Sequence, residues 1–160
     1  MAYLGSYDRI LLLIYDHGYS IMLPSVVKVY CNSSSTSYID VWRKEPSVQK
    51  TGTASLVEHN GTRFILTNEH VVRDNSQIYV TVEGCSKQFT AKVRHRDYRC
   101  DLALLEIVSD KFAFEGLVSY LPLQLELPSP GTKLATQGFP TGGQGFCTTE
   151  GVVSRNESSA

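Results

Sequence analysis

Charge of one sign, paired cysteines and long apolar runs are all scarce in this 160-residue chain. Fifteen basic residues face sixteen acidic ones, and no Lys/Arg run is longer than the pair Arg43-Lys44. With no surplus of cations to neutralise phosphates, a nucleic-acid partner is not expected. Cys31, Cys85, Cys100 and Cys147 lie far apart with no C-x-x-C pair. Neither a zinc knuckle nor a thioredoxin-type redox motif can be built from them, so they read as reduced, partly buried thiols. No metal or other cofactor is expected. The N-terminal apolar run, residues 10–15, is bracketed by Asp8, Arg9 and Asp16 and falls far short of the length that crosses a bilayer. A membrane span and a secretory signal are therefore not expected. The acidic residues and the single arginine before Lys28 fit poorly with an Arg-rich transit peptide. Without secretion, the glycosylation triplets at Asn32, Asn60 and Asn156 are chance matches.

What is present is enough for a core. Hydrophobic residues make up 42% and charged residues 19%, at a length usual for one globular unit. Short β-branched and aromatic segments follow one another at residues 26–31, 53–58, 63–67, 77–83, 88–95 and 102–108, with turn residues between most of them. Asn60-Gly61 is a strong hairpin signal because both residues tolerate positive φ. Six short strands of this kind predict a small closed barrel or a sandwich. Helix is confined to single turns at 68–73, with Asn68 as N-cap, and at 110–117. Pro122, Pro128 and Pro130 make 121–130 an extended connector, since proline is excluded from central strands. Two further strands, 133–137 and 147–154, flank a segment rich in glycine.

Two segments could carry chemistry. Phe64-Ile65-Leu66-Thr67-Asn68-Glu69-His70-Val71-Val72 places a histidine just past an apolar strand, where a lone histidine is more often structural. Asp101-Leu102-Ala103-Leu104-Leu105-Glu106-Ile107 places an aspartate directly before another, where a turn role is the plain alternative. Taken together they resemble the T-N-x-H-V-V and D-L-A-L-L motifs of the Deg/HtrA (Do-like) serine proteases. The resemblance extends over about residues 24–155. Thr51-Gly52-Thr53-Ala54-Ser55-Leu56-Val57 sits where that family has a Gly/Ser-rich lead into a strand. Gly138-Phe139-Pro140 is similar to its G-x-P turn, and Gly151-Val152-Val153-Ser154-Arg155 to its G-x-V-S strand. The insert at 110–116 is most similar to plant-type members.

The resemblance implies an all-β, chymotrypsin/trypsin-like fold: the first six-stranded β-barrel plus the opening hairpin of the second. The corresponding division is an N-terminal extension (1–24), the first barrel (25–120), an inter-barrel connector (121–131) and the truncated start of a second barrel (132–160). It also implies a serine-type endopeptidase acting on misfolded or unfolded polypeptides, in which His70 is the general base and Asp101 orients it. Homo- or hetero-oligomers with related proteases are compatible with it, and plastid, mitochondrion and nucleus are all open as locations.

The nucleophile is expected in a Gly-x-Ser-Gly-Gly-like loop that also forms the oxyanion hole, and no such sequence occurs among these residues. Ser154, Ser158 and Ser159 lack that glycine context, and the Gly-Phe-Cys-Thr setting of Cys147 resembles no cysteine-nucleophile loop. The chain is thus expected to be inactive alone. The alternative is a non-catalytic pseudoprotease fragment acting as an interaction module through exposed strand edges. Three details stand out. Ala54 and Ser55 replace a glycine and a bulky apolar residue. Glu69 beside the histidine is expected to face solvent, although its charge could reach the imidazole. Asp97 is a rival acid for His70. Leu134, Phe139, Phe146, Val152 and Val153 are expected to lack an apolar partner within the chain, so that 132–154 frays or self-associates.

Overall fold

The computed structural model describes residues 12–14, 24–33, 48–140 and 145–156. Residues 141–144 of the glycine-rich segment, Ser158 and Ser159 lie outside them. In chain order the elements are β1 (Leu12–Ile14), β2 (Val26–Ser33), β3 (Val48–His59), β4 (Thr62–Asn68), α1 (Glu69–Val72), β5 (Asn75–Thr81) and β6 (Gln88–Asp97). They continue with β7 (Leu102–Ile107), α2 (Lys111–Glu115), β8 (Leu121–Pro122), β9 (Lys133–Gly138) and β10 (Cys147–Val152).

Six strands close a barrel in the order β2-β5-β6-β7-β4-β3, and β3 returns to pair with β2. Alternation drives the closure. In β7, Ala103, Leu105 and Ile107 are buried while Leu102, Leu104 and Glu106 are less so. The inward rows bring Val27, Val29, Leu56, Ile65, Ile78, Val80 and Phe89 into one core. Each large side chain removed from water contributes roughly 1.5–3 kcal/mol. Phe114 of α2 closes this core, meeting the Phe89 ring edge-on at 5.1 Å. The β3–β4 hairpin turns at Asn60 and Gly61, with φ of 50° and 73°, which is the backbone that pair suits. The connector keeps its prolines at the margin: Leu121 and Pro122 add only two parallel pairings to the end of β3.

The remaining strands form a small sheet, β1-β9-β10. β1 lies within the N-terminal apolar run, where no strand is expected from the sequence, and its three residues pair with Gln137, Thr136 and Ala135. One expectation about this sheet is corrected. Phe139 is buried, not partnerless, and forms a second apolar cluster on the outside of the barrel with Val26, Val57 and Leu66. The reason is a polar clasp. Thr53 Oγ1 accepts a hydrogen bond from the Phe139 N–H at 2.9 Å, while Thr67 Oγ1 donates to the Thr53 carbonyl at 2.9 Å. Gly138 permits the approach, since a Cβ there would stand 3.1 Å from Thr53 Oγ1. Phe146 and Val152 do remain exposed, although Phe146 rests edge-on against Phe139. The cysteines also differ from expectation. Cys31 is buried, and that burial pushes its thiol pKa up, but Cys100 and Cys147 are exposed because they stand in a turn and on an outer strand.

Ser55 shares the outward face of β3 with Val57, fully buried, and its hydroxyl has no hydrogen-bond partner among the described residues. An unmet buried hydroxyl costs about 1–3 kcal/mol of desolvation that nothing offsets. Ser55→Ala should therefore leave stability unchanged or raise it by about 1 kcal/mol in urea denaturation. A clear loss would mean that the hydroxyl has a partner after all.

Candidate active site

His70 and Asp101 come from neighbouring strands. β4 and β7 pair antiparallel with Asn68 opposite Leu102, so the residues just beyond their paired ends, α1 and Asp101, are brought together. His70 Nδ1 lies 2.7 Å from Asp101 Oδ2, across 31 positions of sequence. The other carboxylate oxygen accepts the His70 backbone N–H at 2.9 Å, and the Asn68 amide donates to Oδ2 at 3.1 Å. The Asp101 carbonyl accepts the Glu69 N–H at 3.1 Å. Asp101 achieves this in the left-handed region, φ 51°, which aspartate tolerates better than most residues.

Desolvation alone would raise the Asp101 carboxyl pKa. The His70 backbone N–H, the His70 ring and the Asn68 amide outweigh it and hold the pKa below the ordinary carboxyl value. An ionised carboxylate can only accept, so the proton between the two groups belongs to Nδ1 and the lone pair of the neutral ring to Nε2. Nε2 makes no hydrogen bond among the described residues, and the His70 side chain is 43% exposed. The arrangement is a base with its lone pair open to solvent. Among the described residues no group of three or more His, Cys, Asp or Glu could hold a metal ion.

Asp97 does not compete for His70; its carboxylate accepts the Arg99 N–H at 2.8 Å and closes its own turn. Asn68 makes no side-chain cap to α1; its amide N–H donates instead to Asp101. Ser154 is exposed beyond the end of β10.

Glu69 overturns the expectation that it faces solvent. Its side chain is fully buried and takes a forked set of hydrogen bonds from Arg73, the shortest 2.6 Å. The signal was present as an acid followed four positions later by a base, the spacing that faces both along one helical turn. It was obscured because α1 is only four residues long. Beneath α1, Gly52 lies so close to Val71 that a Cβ would fall 2.7 Å from a valine methyl. The glycine therefore fixes how near β3 the histidine turn sits.

With this geometry in view, a family profile described as the trypsin-like peptidase domain matches residues 52–159. Protease Do-like 4, mitochondrial, of Arabidopsis thaliana is 39% identical over 134 residues, covering 83% of this chain and 24% of that protein. Protease Do-like 2, chloroplastic, of the same plant is 37% identical over 136 residues, covering 84% and 21%. The serine protease DegP homolog of Plasmodium falciparum is 30% identical over 130 residues, covering 81% and 14%. The chain thus spans about a quarter or less of the length of these relatives.

Two outcomes follow from the geometry. A carboxyl whose pKa is depressed on folding adds stability that is present above its unfolded value, ordinarily 3.8, and lost as pH falls through the lower folded value. Asp101→Asn should therefore be less stable than the parent at neutral pH, with the gap narrowing as pH falls below about 4 in urea titrations; a gap independent of pH would contradict the ionised acceptor. Arg73→Ala should lower the melting temperature more than Glu69→Gln does, because the first strands a buried carboxylate and the second removes its charge. Equal shifts would mean that the ion pair is not what holds α1.

Proposed function

Because the chain belongs to the trypsin-like peptidases, among the Deg/HtrA (Do-like) proteases, we propose that it supplies the general base and the orienting acid of a serine endopeptidase acting on unfolded polypeptide. The observation that carries this reading is the 2.7 Å His70–Asp101 contact with Nε2 left open. In such a reaction Nε2 takes the serine hydroxyl proton as its oxygen attacks the peptide carbonyl. The same proton passes to the leaving amine as the C–N bond breaks. Asp101 keeps the proton on Nδ1 and stabilises the imidazolium that forms in between. No sequence among these 160 residues offers the glycine-framed serine or the oxyanion donors, so the reading assigns no turnover to them alone.

A second reading, a non-catalytic interaction module, is favoured by β10. It is an edge strand of the small sheet, and all six of its residues are exposed. The two readings make different demands on His70.

The test has two arms. The purified chain should not degrade unfolded casein above background, and His70→Ala should change nothing. Joined to the remaining protease-domain sequence of Protease Do-like 2, the chain should gain casein hydrolysis. In that fusion His70→Ala or Asp101→Asn should lower kcat by about 10⁴-fold. Hydrolysis indifferent to His70, or a well-folded fusion that stays inactive, would reject the catalytic reading in favour of the module.

A further inference from the structure

The net charge of −1 hides a local concentration of cations. Lys92, Arg94, Arg96 and Arg99 fall within eight positions of sequence, against Asp97 alone. These residues end β6 and lead through the turn into Asp101. A β-bulge between Val93 and His95 inserts Arg94 as an extra residue and changes which side chains of the strand end face outward. Residues 94–100 are exposed throughout.

Tyr98 organises the patch. The Arg96 guanidinium lies 5.2 Å from its ring centroid and the Arg73 guanidinium 5.7 Å, so the ring is gripped by two cations although it is 58% exposed. Arg73 is itself fixed by buried Glu69, next to His70. Four of the five carboxylates close to the patch have partners among the described residues. Glu69 holds Arg73, Asp101 holds His70 and Asn68, Asp97 accepts the Arg99 N–H, and Glu106 lies 3.7 Å from Lys92. Asp74 is exposed beside Arg73. Arg94, Arg96 and Arg99 have no carboxylate partner among the described residues.

We propose that Arg96, Arg99 and Tyr98 form a docking rim, beside His70, for an acidic segment of a polypeptide. Planar guanidinium groups suit carboxylates because their donors match both carboxylate oxygens, and the Tyr98 ring beside Arg96 offers an apolar face to the peptide stem. A peptide is favoured over a nucleic acid because the chain as a whole carries no positive excess and Tyr98 stacks with Arg73, which Glu69 holds next to His70. The inference rests on the reading of the His70–Asp101 pair as a polypeptide site. Its test measures binding and needs no nucleophile, so it fails or succeeds apart from hydrolysis.

Fluorescence anisotropy with the intact chain decides it. The probes are a fluorescein-labelled peptide with four glutamates, its glutamine counterpart, and a single-stranded oligonucleotide of equal charge. The glutamate peptide should bind at least about fivefold more tightly than the glutamine one, and more tightly than the oligonucleotide. Its affinity should fall as salt rises through the physiological range. Arg96→Ala with Arg99→Ala should weaken it about five- to twentyfold. Lys133→Ala, on β9 of the other sheet, should not. Both arginines are exposed, so circular dichroism should show these variants folded; Arg96→Gln with Arg99→Gln, which keeps length and polarity, should lose binding equally. No preference for glutamate, binding unchanged in the arginine variants, or tighter binding of the oligonucleotide would each overturn the proposal.

Discussion

The fold around the histidine turn depends on one residue in an unfavourable backbone state. Asp101 sits at positive φ immediately before β7, and from there its two carboxylate oxygens and its carbonyl take hydrogen bonds from Asn68, Glu69 and His70. A four-residue helix has almost no stability of its own, because nucleation consumes its few hydrogen bonds. Here α1 is held instead from three sides: by Asp101 at its start, by the Glu69–Arg73 pair along its length, and by Val71 packed onto Gly52 beneath. The imidazole inherits its orientation from these contacts.

The polar contacts divide by burial. The carboxylate of Glu69 is wholly removed from water and can remain charged there only because the Arg73 fork meets both its oxygens. Asp101 is partly open, so solvent as well as His70 and Asn68 supports its charge. One carboxylate therefore locks structure while the other stays within reach of water. One acid thus holds the turn and the other orients the imidazole.

The strands themselves were largely legible in the sequence, because β-branched and aromatic segments set off by turn residues mark them and Asn60-Gly61 sets one hairpin, whereas the order in which they pair, β4 beside β7 and β2 beside β5, was not. The pairing of His70 with Asp101 became legible only when the two motifs were read together, since a lone histidine and a lone aspartate each have commonplace roles. The burial of Glu69 was not legible, although its four-residue spacing to Arg73 marks the pair, because a turn this short takes its place from what it packs on. Nor was the seat of Phe139, which exists because Thr53 can turn its hydroxyl toward a backbone N–H 86 positions away. The residues Ala54 and Ser55 illustrate both sides: Ala54 packs into the core as a small strand residue should, whereas the buried, unpartnered Ser55 has no evident physical account.

The clasp at Thr53 also bears on the histidine turn. Thr53 joins β9 to the barrel, and its neighbour Gly52 is the residue on which Val71, adjacent to His70, rests. The small sheet thus meets the barrel one residue in sequence from the glycine that seats the histidine turn, so a substitution that shifts Thr53 would be felt on both sides at once.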